Sequence, residues 1–158
     1  MPNRHEHFMQ QALDLASQGV ELGHGGPFGA VVVVADRVVG RGWNQVVHRQ
    51  DPTAHAEMLA IREACDSLGR FHLPQATLYT TCEPCPMCMG AIYWARIGHL
   101  VYGATAEDAA EVGFDDHRIR SAMHQPLNQQ DLQTEQRCRQ QSKELFLTWL
   151  ASDKRVDY

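Results

Sequence analysis

The chain has 158 residues, 44% hydrophobic and 21% charged. That is one domain of ordinary globular composition, long enough to bury a core without disulfide staples. Its net charge of −5 and pI of about 5.9 lack the basic excess that neutralises phosphates in nucleic-acid binders, so the balance favours a small uncharged substrate and no nucleic-acid partner.

The elements follow in chain order. Phe8, Ala12, Leu15 and Ala16 share one face of an opening helix, which Gly19 or Gly23 is expected to end. Gly23-His24-Gly25-Gly26-Pro27 is a loop. The Val-rich run from Gly29 to Ala35 predicts a buried strand, with Arg37 to Trp43 as its hairpin partner across a short turn at Ala35-Asp36. A helix is expected over Ala54 to Leu68, with Asp51 or Thr53 capping it and Pro52 early in its first turn. Ala76 to Thr81 predicts a third strand, Met89 to Ala95 a buried helix after a cysteine loop, and His99 to Gly103 a fourth strand. This alternation implies parallel pairing in the second half. Short helices fit Asp108 to Gly113 and Ile119 to Met123, and the polar stretch from Asn128 to Gln141 suits a linker or an exposed helix. Leu145, Phe146, Trp149 and Leu150 form an apolar stripe at helical spacing. Such a stripe ordinarily packs on its own domain; the other reading is a helix docked on a second subunit.

No apolar run approaches the roughly 20 residues of a membrane span, and the first six residues lack the apolar core of a signal peptide. Cys65 and Cys138 sit in helical patterns as free thiols, an inventory that points to the reducing cytoplasm.

The chemistry lies in two short phrases, His55-Ala56-Glu57 and Pro84-Cys85-Pro86-Met87-Cys88. Cys-x-x-Cys lets two sulfurs reach one metal, and His55 supplies a third ligand. Three protein ligands leave the fourth tetrahedral position of a zinc ion open, which separates a catalytic site from a structural one. Both phrases precede helical patterns, so the thiolates lie near a helix N-terminus, where the dipole favours negative charge. Glu57 is then placed to take a proton from a water and return protons to a ring nitrogen and a departing amine. His-x-Glu followed by Pro-Cys-x-x-Cys is the signature of zinc nucleobase deaminases.

Rival readings are narrower. A lone Cys-x-x-Cys could be a redox pair. Cys82, Cys85 and Cys88 begin like a ferredoxin run, but that run needs a fourth Cys followed by Pro, and Ile92-Tyr93 stands there instead. Cys82 then ends a strand as a small buried residue. A protein-binding zinc module would have no use for an open ligand position or for Glu57.

Longer phrases carry a family resemblance: Gly25 to Ala30 (GGPFGA), Asp51 to Glu57 (DPTAHAE), Cys82 to Cys88 (CEPCPMC), Gly90 to Arg96 (GAIYWAR), Gly113-Phe114-Asp115-Asp116, and a terminal Tyr158. They resemble the cytidine-deaminase-like zinc superfamily and, within it, the short bacterial guanine deaminases. The zinc phrases mark only the superfamily; Gly-Phe-Asp-Asp and the terminal Tyr point to guanine. The resemblance implies an α/β fold, a three-layer α/β/α sandwich with a central mixed sheet, and one zinc ion per chain. It also implies a homodimer in which the C-terminal segment, about 125–158, crosses to the partner and helps close the site. Departures from the pattern fall mostly between Pro126 and Gln141.

Hydrolysis of guanine at C2 would give xanthine and ammonia. Asn44, with a donor and acceptors, can pair with the purine edge; the plainer reading is a turn residue. Asp116 could accept from guanine N–H groups, or cap a helix. Phe28, Trp94 and Phe114 could wall the base, or be core. Tyr158 could act as a lid, or be a frayed terminus. A tRNA adenosine deaminase, or a deaminase of another aminated ring such as cytosine or guanosine, would carry the same zinc phrases.

Overall fold

The computed structural model describes residues 3–158. Helix α1 (Arg4–Glu21) opens in a capping box, with Asn3 Oδ1 accepting from His5 and Glu6 and the Glu6 carboxylate accepting from the Asn3 N–H. The hairpin pairs β1 (Gly29–Val34) with β2 (Arg37–Trp43). Ala35 and Asp36 both have positive φ, 48° and 60°, the geometry that matches a two-residue turn to strand twist. A four-residue turn of helix, α2 (Val46–Arg49), leads to α3 (Ala56–Leu68). Strand β3 (Thr77–Cys82), α4 (Pro86–Trp94), β4 (His99–Ala104), α5 (Ala106–Glu111) and α6 (His117–Met123) follow.

The sheet order is β2-β1-β3-β4. β1 runs antiparallel to both β2 and β3, while β3 and β4 are parallel, as the strand-helix-strand pattern requires. Side chains alternate across the sheet. Ala30, Val32 and Leu78 join Ala56, Ala60 and Ala64 of α3 and Ile92 of α4 in one core. Val31, Val33 and Tyr79 meet Phe8 of α1 on the other face. Helices on both faces of a mixed sheet make the expected three layers. The period of two puts consecutive valines of β1 into different cores.

Of the two expected stops for α1, Gly23 is the one used: the helix ends at Glu21, with Leu22 as its C-cap and Gly23 next at φ 66°. Gly19 lies inside the helix and serves packing, since a Cβ there would lie 2.6 Å from Trp43 Cδ1. One boundary differs from expectation for a physical reason. α3 starts at Ala56, not Ala54. Asp51 Oδ1 accepts from the Thr53 N–H and hydroxyl at 2.8 and 2.7 Å, and this turn delays the helix until His55 becomes its N-cap.

The chain forms two compact units, one reaching to His117 and one spanning Arg118–Tyr158. The second holds most of α6, a 3₁₀ turn at Leu127–Gln129 and α7 (Arg139–Leu150). Its local ties include the Arg118–Asp131 ion pair, and Arg155 stacked 5.0 Å from the Trp149 ring centre. The apolar stripe of α7 is uncovered: Leu145, Phe146, Trp149 and Leu150 are all exposed, and α7 has no buried residue.

Candidate active site

Two helix starts meet in the first unit. His55 caps α3 and Cys85 caps α4, both with extended backbone (ψ 154° and 167°), and neither side chain bonds its own helix end. Pro86 occupies the first turn of α4, where its missing N–H costs nothing. The cap residues are therefore free to turn toward one another. His55 Nδ1 lies 3.6 Å from Cys85 Sγ and 3.5 Å from Cys88 Sγ, and all three ligand atoms lie within 4.8 Å of one another. A tetrahedral zinc with bonds of about 2.0–2.1 Å to nitrogen and about 2.3 Å to sulfur requires an N···S separation of about 3.6 Å. The donor set fits that metal in type and spacing.

Glu57 sits two residues into α3, facing the same point from the apolar side. It is 6% exposed. Its Oε1 accepts from the Thr80 hydroxyl at 3.0 Å, and its Oε2 lies 3.5 Å from Cys88 Sγ. Burial raises its pKa above the usual carboxylate range, against the opposing pull of hydrogen bonds from its own backbone and Thr80. Cys85 is pushed down to about 4, first by the Cys88 thiol and then by His55. Cys88 is raised, first by the Cys85 sulfur and then by burial. The two sulfurs thus share one negative charge in the protein alone; a bound dication would let both ionise. His55 is raised chiefly by its contact with Cys85.

Asn44 is 6% exposed. Its Oδ1 accepts from the Val46 N–H at 3.1 Å and its N–H donates to Phe28 O at 3.0 Å, so the turn role is real. Gly25 presses against its amide: a Cβ on Gly25 would lie 2.0 Å from Asn44 Oδ1. Phe28 and Phe114 form an edge-to-face pair, ring centres 4.9 Å apart at 85°, a geometry worth about 0.5–1.5 kcal/mol. Asp115 Oδ1 accepts from the His117 N–H at the start of α6 at 2.9 Å. Asp116 is half-buried, and its charge acts on Cys82 together with that of Glu57. Burial and these carboxylates push the Cys82 thiol up to about 11, so it stays neutral at the end of β3.

The first unit thus gathers His55, Cys85, Cys88 and Glu57 into one cluster, with Asp116 on the Cys82 side and Phe28 paired to Phe114. Trp94 is not buried in this cluster. It ends α4, six residues beyond Cys88, and is 68% exposed. Tyr158 ends the second unit with its side chain exposed. Thr80 was not singled out in the sequence. Its signal was the strand period, since Thr80 shares with Leu78 the face of β3 that meets α3.

A family model for the cytidine and deoxycytidylate deaminase zinc-binding region matches residues 2–104. Guanine deaminase of Bacillus subtilis (strain 168) is 50% identical over 128 residues, which is 81% of this chain and 82% of that one. The X-ray structure of guanine deaminase from Bacillus subtilis superposes with a TM-score of 0.94 at 43% identity, covering 100% of this chain and 99% of that one. A tRNA-specific adenosine deaminase of Haemophilus influenzae is 40% identical over 124 residues, 75% of this chain and 71% of that one. The family match spans both helix starts that supply the His-Cys-Cys cluster and the buried glutamate beside it, and on these grounds the chain belongs to the cytidine and deoxycytidylate deaminase family of zinc-binding proteins.

Proposed function

We propose that this chain hydrolyses guanine to xanthine and ammonia, with one zinc ion held by His55, Cys85 and Cys88 and with Glu57 as the proton carrier. The observation that carries the chemistry is the placement of Glu57: a buried carboxylate, one oxygen anchored by Thr80 and the other facing the three ligand atoms. When bound, zinc supplies the Lewis acidity that lowers the pKa of a water from about 15.7 toward about 7. Glu57 takes one proton from the attacking water and passes it to a ring nitrogen, then takes the second from the hydroxyl formed at C2 and passes it to the exocyclic amine. Water adds at C2, the C2–N2 bond breaks, and ammonia leaves. The raised pKa of Glu57 suits this double role, because a group poised nearer neutrality both accepts and donates.

Guanine is favoured over an adenosine in tRNA on two grounds. The likeness to guanine deaminase runs over more of the chain than the likeness to tRNA deaminases. The net charge of −5 suits an uncharged base better than a polyanion. In this reading Asn44 and Asp116 hold the polar edge of the base, Phe28 and Phe114 wall its ring, and Trp94 and Tyr158 complete the enclosure. The exposed apolar face of α7 supports a homodimer in which the C-terminal segment, about 125–158, crosses to a second copy. Cytoplasmic purine-base catabolism or salvage is the setting this activity fits. The test is to supply zinc-loaded protein with guanine and, separately, with tRNA. Xanthine and ammonia in equal amounts support the reading. Inosine in tRNA without guanine turnover overturns it.

A further inference from the structure

The loop before β1 carries an aromatic cluster that the proposed chemistry does not use. Trp43 Nε1 donates to His24 Nδ1 at 3.0 Å. The His24 ring lies between that indole, 6.1 Å away at 19°, and the His48 ring, 4.0 Å away at 18°. An indole N–H can only donate, so Nδ1 of His24 must keep its lone pair and the proton sits on Nε2. An imidazolium has no acceptor to offer.

The backbone of the same residue ties together the segments around Asn44. His24 N donates to Gly19 O in the last turns of α1, and His24 O accepts from both Val47 and His48 at the start of α2. Asn44 lies between these ties, its Oδ1 held by Val46 and pressed by Gly25, the residue after His24. Trp43, the residue before Asn44, is seated against Gly19. Moving the His24 ring therefore moves the neighbours on both sides of Asn44.

We infer that neutral His24 is a positioning residue for base recognition, holding Asn44 in place through its hydrogen bond from Trp43. This rests on the proposed role of Asn44 toward the base. The titratable group that faces the His24 ring is His48 of α2, stacked on it at 4.0 Å. Burial and the His48 charge keep His24 below its ordinary value of 6.5, so the neutral form prevails at neutral pH and is lost on acidification.

Three variants of the zinc-loaded full chain test this: His24→Leu, which removes the acceptor, His24→Gln, whose amide oxygen retains one, and Trp43→Phe, which removes the donor. Losing one such bond costs about a factor of five to ten in affinity. His24→Leu and Trp43→Phe should each raise KM by about that factor while kcat falls far less, and the double variant should be no worse than either single one. His24→Gln should keep the wild-type KM at neutral pH and lose the rise in KM expected of the wild type on acidification, once His24 takes up a proton. Unchanged KM in His24→Leu, or His24→Gln as impaired as His24→Leu, overturns the inference. A second readout is independent of substrate. The Trp43 indole N–H and Asn44 side-chain amide resonances should shift together as the wild type is acidified, and the amide should be displaced in His24→Leu. An indole resonance that moves on acidification without the Asn44 amide, or an Asn44 amide undisplaced in His24→Leu, overturns the inference as well. If the wild type turns over another aminated ring, the guanine reading fails while these kinetics, run on that ring, still decide the role of His24.

Discussion

Glu57→Gln separates chemistry from structure. The amide oxygen of Gln can accept from Thr80 as Oε1 does at 3.0 Å, and the amide nitrogen would take the Oε2 position 3.5 Å from Cys88 Sγ, facing a sulfur. Packing is conserved, and the three ligand atoms are untouched. What disappears is the ability to take up and release a proton. A positioned acid or base contributes about 10²–10⁴ in rate. Glu57 is assigned both transfers, so the upper end applies: a fall in kcat of about 10⁴, equivalent to about 5.5 kcal/mol at about 1.36 kcal/mol per tenfold. Zinc content should stay at the wild-type level. The charge of Glu57 is buried, which penalises the carboxylate in the protein without metal. Metal-free Glu57→Gln should therefore melt at or above metal-free wild type. The assay combines steady-state guanine consumption, metal analysis and thermal melts of both forms. A kcat within tenfold of wild type, with zinc bound, would refute the assignment of Glu57.

Further outcomes follow from neighbouring residues. Chelation should abolish turnover and lower the melting temperature, and Cys88→Ser should lose most of its zinc on dialysis, since metal binding and folding are coupled; full activity in chelated protein would contradict this. Asn44→Ala removes both the hydrogen bond from Val46 and the proposed base contact, so kcat/KM should fall by about a hundredfold, mostly in KM, because a polar base edge is left unpaired. Asp51 is held below its usual 3.8 by hydrogen bonds from Thr53. A carboxylate lowered on folding contributes its full stability above the unfolded pKa and loses it as pH falls through the folded value. Asp51→Ala should thus lower the melting temperature at pH 7 and show a smaller further loss between about pH 5 and about pH 3 than wild type; equal losses would exclude the turn as the source. Replacing exposed Phe146 and Trp149 by Glu should convert a dimer to a monomer in light scattering, without changing the melting temperature of the first unit. A wild-type monomer would remove the swapped-tail proposal.

The β1–β2 hairpin, the strand-helix-strand order and the helix after the cysteine loop were legible because hydrophobic period, turn residues and Pro86 agree locally. The cluster of His55, Cys85 and Cys88 was legible because Cys-x-x-Cys and His-x-Glu each fix their spacing within one turn. Other features needed tertiary contact. Gly19 looks like a helix stop until the Trp43 ring is found against it. The start of α3 depends on an Asp51 side chain competing with the backbone for Thr53. Thr80 looks like any strand threonine until Glu57 is opposite it. The apolar stripe of α7 obeys the same spacing as a core helix, and periodicity cannot say which surface covers it. Local pattern gives the face of an element, and the partner of that face is a long-range fact.

The central claim is tested most directly by incubating zinc-loaded protein with guanine and following its conversion to xanthine by ultraviolet absorbance, with guanosine, cytosine and adenine in parallel. Rapid turnover of guanine alone is the predicted result. Turnover of another ring with none of guanine would contradict the assignment of Asn44, Asp116 and Tyr158 to guanine, and no turnover of any ring by fully zinc-loaded protein would contradict the catalytic reading of the site itself.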